Sequence, residues 1–206
     1  MKRASISGPV SPAWRFRGFT LVELLVVITI IALLAGLLLP VIVGAIKKAE
    51  IHKALGEVTA IAAALEHYQV EYSKYPGQTS GGSGSDHQYA GGGGGSEYAK
   101  LINVLRGTNY DTTWSNPRSV VFLSVDDRSM STNSNGSGSY SAQPGEMADP
   151  WGDHYEVIAD WNFDNQIDSA DQVKVTGRGV AVWSYGPWTA NDTPKLGAGK
   201  NIHSWK

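Results

Sequence analysis

Twelve residues starting at Asp160, DWNFDNQIDSAD, place oxygen-bearing side chains at the first, third, fifth, ninth and twelfth positions: Asp160, Asn162, Asp164, Asp168 and Asp171. Gln166 at the seventh position offers a backbone carbonyl, and Ile167 follows at the apolar anchor position. Calcium takes six to eight hard oxygen ligands, and alternate residues in a tight loop can supply them, so this is the EF-hand spacing. Two features depart from it. Asn165 stands where the motif prefers Gly, although Asn tolerates a left-handed turn better than most residues. The flanks, EVIA and VKV, read as strands rather than helices. A solvated acidic loop closing a β-hairpin accounts for the same residues.

A second chemical signal lies near the N-terminus. Glu23 sits in a run from 19 to 40, FTLVELLVVITIIALLAGLLLP, whose only other polar side chains are Thr20 and Thr29. A carboxylate in hydrocarbon costs at least ~2–3 kcal/mol, so it calls for a partner unless it lies wet among the headgroups. As a helix, 22 residues rise roughly 33 Å, enough to cross a bilayer core. Lys2, Arg3, Arg15 and Arg17 precede the run, with no acidic residue among the first 18. A basic flank before an apolar run predicts an export signal whose N-terminus stays in the cytoplasm. No small-x-small cleavage site follows, so an ordinary signal peptide does not fit.

Basic leader, Gly18, then Phe19-Thr20-Leu21-Val22-Glu23 and about twenty apolar residues resemble the class III signal of type IV pilins and type II secretion pseudopilins. The resemblance implies cleavage between Gly18 and Phe19 by a prepilin peptidase and N-methylation of the new Phe19 amine. It also implies that Glu23 pairs with a Phe19 ammonium, commonly a neighbour's, when helices stack into a filament. An ion pair inside an apolar bundle neutralises both buried charges and sets register. Pro40 stands where the family has a helix-kinking proline, which removes one backbone hydrogen bond.

These residues must be positioned by a small number of elements. With 206 residues, one membrane segment at about 19–41 and one soluble domain at 76–206 form the natural division, with 1–18 as leader. Beyond Pro40 the helical pattern continues through Val41, Ile42, Ala45, Ile46, Ala49, Leu55, Val58, Ile61, Ala62, Leu65, Tyr68 and Tyr72, with charges between them. One helix over about 19–75, apolar then amphipathic, is expected to stop at Tyr75-Pro76-Gly77. Residues 77–96, with GGSGS and GGGGGS, read as a flexible surface loop, and 131–145 as a second. Residues 97–106, EYAKLINVLR, predict a short docking helix ended by Gly107. Asp149-Pro150-Trp151-Gly152 leads into an alternating strand at Tyr155, Val157 and Ile158, and VAVWSYGP from Val180 reads as a further strand. Both are similar to elements of the major pseudopilins, with Asp153-His154 in place of the usual Asn-Pro. That family holds calcium in a loop corresponding to 184–201 here, where only Asp192 offers a carboxylate.

Removing the leader's four basic residues from the 17 leaves 13 against 19 acidic, a net −6, which argues against nucleic-acid binding. Cysteine is absent, so the domain rests on its core and any metal rather than on disulfides. His52, His67, His87, His154 and His203 have no metal-triad spacing and read as exposed or polar-edge residues. No nucleophile elbow or Walker motif occurs, so no enzyme is expected.

The expected fold is α+β: a long N-terminal helix packed on a small antiparallel sheet, pilin-like. The resemblance implies a single-pass protein of the bacterial inner membrane, N-terminus cytoplasmic and C-terminal domain periplasmic. Its partners would be prepilin peptidase, like copies in a homo-oligomeric filament, other pseudopilins and the inner-membrane assembly platform. Two alternatives stay open: a type IV pilin for adhesion or DNA uptake, and a membrane-anchored calcium- or glycan-binding module that never polymerises.

Overall fold

The computed structural model describes residues 18–79, 85–89, 96–132, 142, 144–168, 174–187 and 202–205. The leader through residue 17, most of 131–145, Asp171 and most of 184–201, Asp192 included, lie outside the described residues. The fold is α+β, a long apolar-then-amphipathic helix with antiparallel sheets. Two compact units divide it, residues 1–45 and 46–206.

Helix α1 spans Leu21–Tyr72 with Pro40 inside it. In the first unit its side chains are exposed throughout, among them Leu21, Leu33, Leu37 and Leu39. It is long and apolar enough to cross a membrane. Thr29 returns its hydroxyl to the carbonyls of Leu25 and Val26, both at 2.8 Å, so its polarity is satisfied within the helix.

In the second unit α1 buries one stripe, Ala54, Val58, Ile61, Leu65 and Tyr68, whose spacing of four and three residues keeps them on one face. Leu55, expected on that stripe, is 41% exposed because it lies more than a quarter of a turn to the side of Ala54, which takes the buried place. The stripe joins a core with α2 (Glu97–Leu105) and one face of a four-stranded antiparallel sheet. That sheet has the order β1 (His87–Gln88), β2 (Glu156–Ala159), β5 (Val180–Ser184), β6 (Ile202–His203). A separate hairpin, β3 (Gln166–Asp168) and β4 (Lys174–Thr176), sends Ile167 and Val175 against Ile158, Ala181 and Trp183 on the other face.

That second cover encloses the central strands on both faces. Every residue of β2 and β5 is buried, because α1 and α2 cover one face and the hairpin covers the other. The low-complexity stretch 77–96 also departs from expectation. Within it Gln88 pairs with Ile158 and His87 with Ala159, and Tyr89 is fully buried, its hydroxyl donating to the Pro76 carbonyl at 2.9 Å.

The chain leaves α1 through a tight exit. Ser73 is left-handed at φ 53°, and Gly77 at φ 81° lies so close to Trp114 that a Cβ would meet the ring at 2.8 Å. Gln78 accepts the Tyr75 N–H at 3.0 Å and donates to the Trp161 carbonyl at 2.9 Å, tying the helix exit to the start of the acidic loop.

Candidate functional site

Gly18, Phe19 and Thr20 precede α1 outside regular structure, and Phe19 is 71% exposed. Thr20 and Glu23 close the helix start as a reciprocal capping box. The Glu23 carboxylate accepts the Thr20 N–H at 2.8 Å and the Thr20 hydroxyl at 2.7 Å, and the Glu23 N–H returns to Thr20 Oγ1 at 3.2 Å. The partner that Glu23 requires is therefore supplied inside the same turn. The sequence reading missed Thr20 as this partner, although the T-x-x-E spacing is the signal of a capping box.

In the acidic loop, Asp160 is 2% exposed and caps the turn with both oxygens. Oδ1 accepts from Asp164 N at 3.2 Å and Oδ2 from Asn165 N at 2.9 Å. Asn162 Oδ1 accepts from Asp164 N at 3.0 Å, and Asp164 Oδ1 from Gln166 N at 2.8 Å. Asn165 is left-handed at φ 61°, as the sixth position of the spacing requires, and Phe163 at φ 58° shares that conformation. Phe163 stacks on Tyr75 with ring centroids 5.8 Å apart.

The loop thus gathers Asp160, Asn162, Asp164 and Gln166 around one turn. Asp168 is drawn aside: its N–H donates to Asp86 Oδ2 at 2.6 Å and its carboxylate lies 3.7 Å from Lys174 Nζ. Among the described residues no three acidic or histidine side chains converge closely enough to hold a metal ion. The donors are hard oxygens of the kind and order calcium takes, and the last position of the spacing, Asp171, is not among those described.

Asp86 was hidden in the glycine-rich stretch. Burial, then the negative charges of Asp160, Asp164 and Asp168, raise its pKa. Its neighbour His87 corrects the reading of polar-edge histidines. Its ring stacks on Trp161 at 3.9 Å and its Nε2 lies 3.0 Å from Glu97 Oε2, while burial holds its pKa below the usual value. His154 is a second correction, 4% exposed and 3.3 Å from the carboxylate of Glu156. His52, His67 and His203 are exposed, as expected.

Comparison with known proteins bears on the N-terminal segment. Residues 15–39 match the family described as "Prokaryotic N-terminal methylation motif". The chain is 38% identical over 68 residues to "Type II secretion system core protein G" of Pectobacterium carotovorum subsp. carotovorum, covering 33% of this chain and 44% of that one. It is 42% identical over 62 residues to the protein of that name from Dickeya chrysanthemi, covering 30% and 40% respectively. For Escherichia coli (strain K12) the figures are 43% over 60 residues, 29% and 41%. The N-terminal third is homologous to type II secretion system core protein G. The chain spans less than half the length of these curated relatives. No solved structure gives a significant match.

Proposed function

We propose that this chain is a structural subunit of a type II secretion pseudopilus, processed by a prepilin peptidase and assembled through α1. The observation that carries the reading is the methylation motif at 15–39, with its Gly18-Phe19 junction outside the helix and Glu23 in the helix's first turn. Hydrolysis of the 18–19 peptide bond adds water, leaving a Gly18 carboxylate on the leader and a Phe19 ammonium on the subunit. The Glu23 carboxylate then pairs with a Phe19 ammonium of a neighbouring copy, while the exposed apolar side chains of the first unit bury against like helices. Each aliphatic side chain so covered contributes about 1.5–3 kcal/mol. Pro40 lets the helix bend within that bundle.

In this reading the subunit waits in the inner membrane with its N-terminus cytoplasmic and its domain periplasmic. The assembly platform and other pseudopilins are its partners, and its role is mechanical rather than catalytic. Calcium held by Asp160, Asn162, Asp164 and the Gln166 carbonyl, with Asp171 closing the spacing, stabilises the domain. The donor types, their order and the left-handed Asn165 support that site.

Intact mass and N-terminal sequencing of membrane-extracted protein test the processing. A chain beginning at N-methylated Phe19 is expected. A chain retaining Met1 overturns the reading in favour of an anchored binding module.

A further inference from the structure

The second unit carries an open groove of about 500 Å³ between the middle of α1 and the chain at 123–129. It shares no residue with the acidic loop or with the start of α1. A concavity of that size takes a small molecule or a few side chains of a peptide rather than a lone ion. Its apolar lining comes from Ala60 of α1, from Leu123 and Val125, and from Met147.

Gly56 holds the groove open. It lies inside α1, where glycine is among the poorest helix formers. A Cβ built on it meets nothing within 4 Å, so packing inside the chain does not exclude a side chain there. What the missing side chain does is leave helix backbone bare along the groove, where another chain can approach closely.

The charged groups of the groove divide into two classes. The acids are engaged in the fold. Glu57 takes the Tyr155 hydroxyl at 2.6 Å and the Ser129 hydroxyl at 2.7 Å, and Asp126 Oδ1 accepts the Arg128 N–H at 3.0 Å. The cations are held loosely. Lys53 Nζ stands 3.8 Å from Glu57 Oε1 and Arg128 Nε 3.9 Å from Asp126 Oδ1, both beyond hydrogen-bond reach. Lys53 is half exposed, Arg128 almost fully, and His52 is exposed beside them. The groove therefore offers hydrogen-bond donors from α1 and from residue 128, with apolar surface in company.

We propose that this groove docks an acidic peptide segment of a partner protein, one in which a bulky apolar residue lies between carboxylates. The apolar side chain lies over Gly56 and against Leu123, Val125 and Met147. The carboxylates take Lys53 and Arg128, whose guanidinium suits two-point pairing with a carboxylate. A basic segment would meet Lys53, Arg128 and His52 with like charge, and charge complementarity of this kind selects the partner and steers its approach. The groove lies wholly in the second unit and uses neither the Phe19 ammonium nor calcium, so a negative result leaves the proposed function untouched.

The test is fluorescence anisotropy with full-length protein in detergent and a fluorescein-labelled peptide in which leucine and phenylalanine alternate with glutamate. Saturable binding is expected at low salt, weakening as salt is added. A control peptide with lysine at each glutamate should not bind. Gly56→Leu puts a side chain into the groove and improves the helix, so its Tm should match or exceed wild type while peptide affinity falls at least ~tenfold. Arg128→Glu, at an exposed position, should weaken binding by about tenfold as well. Unchanged binding in either variant, or equal binding of the lysine peptide, overturns the site. A wild type that binds neither peptide also overturns it; dimers of that protein that Gly56→Leu abolishes would assign the groove to a second copy instead. Should Gly56→Leu not fold, Arg128→Glu decides the matter alone.

Discussion

Glu57 shows what one side chain does for this domain. Its side chain is 15% exposed and its two oxygens take the Tyr155 hydroxyl at 2.6 Å and the Ser129 hydroxyl at 2.7 Å. It thereby ties α1 to the start of β2 and to the 3₁₀ turn Asp127–Ser129. Lys53, one helical turn earlier at 3.8 Å, is half exposed and adds little. Tyr155 is fully buried, and burial, then the Glu57 charge, pushes its hydroxyl well above the usual range, so it stays a neutral donor. Glu57→Ala orphans that hydroxyl and should lower unfolding free energy by about 2–3 kcal/mol in urea titration. Glu57→Gln keeps an acceptor and should lose about 1 kcal/mol. Equal losses in the two variants would show that the carboxyl acts through packing alone. None of this was legible in the sequence, where Glu57 reads as one of the charges between apolar positions. Helical periodicity places it beside Ala54 and Ile61 but cannot say that a tyrosine 98 residues away meets it. The Thr20–Glu23 box, by contrast, is local, and its three-residue spacing alone announces it.

At the scale of elements, the signals that survived folding are those carried by one segment's own pattern. The run of α1, the docking helix α2, and the strands at 156–159 and 180–184 are all periodic or bounded by turn residues. Strand β1 escaped because its two residues lie between glycine-rich stretches, and only pairing with β2 makes them a strand. The β3–β4 hairpin was half visible: its acidic loop was read from spacing, but not its role as a lid on Trp183. That lid makes the calcium proposal testable through stability. If the loop binds calcium, the ion holds the hairpin's entry and raises the melting temperature by mass action, about 2.7 kcal/mol at a hundred times the dissociation constant. Full-length protein should melt several degrees higher in calcium than in chelator, and Asp164→Ala, which removes one central oxygen donor, should lose the difference. Identical melts with ion and with chelator would discard the site.

The whole molecule pairs a closed domain with a helix segment whose aliphatic side chains are exposed from Leu21 onward. Such a surface has to be covered; in the proposed function lipid covers it in a single copy and like helices cover it in an assembled one. The two environments make different demands on Glu23. In one copy the capping box satisfies the carboxylate without any ammonium, as its hydrogen bonds to Thr20 show. In a filament the proposed ammonium partner requires the negative charge, and the two roles come apart by substitution. Glu23→Ala removes both, yet the Gly18-Phe19 junction is untouched, so leader removal and membrane insertion should proceed while assembled filaments fall at least tenfold. Glu23→Gln keeps an oxygen to cap Thr20 and loses only the charge; it should also be cut and should also fail to assemble. Sheared filaments counted by electron microscopy, beside the cleaved fraction on immunoblots, read both steps from the same cells. Filaments at wild-type abundance from Glu23→Gln would mean that the assembled helix needs its cap and not its charge, and the ammonium pairing would be wrong.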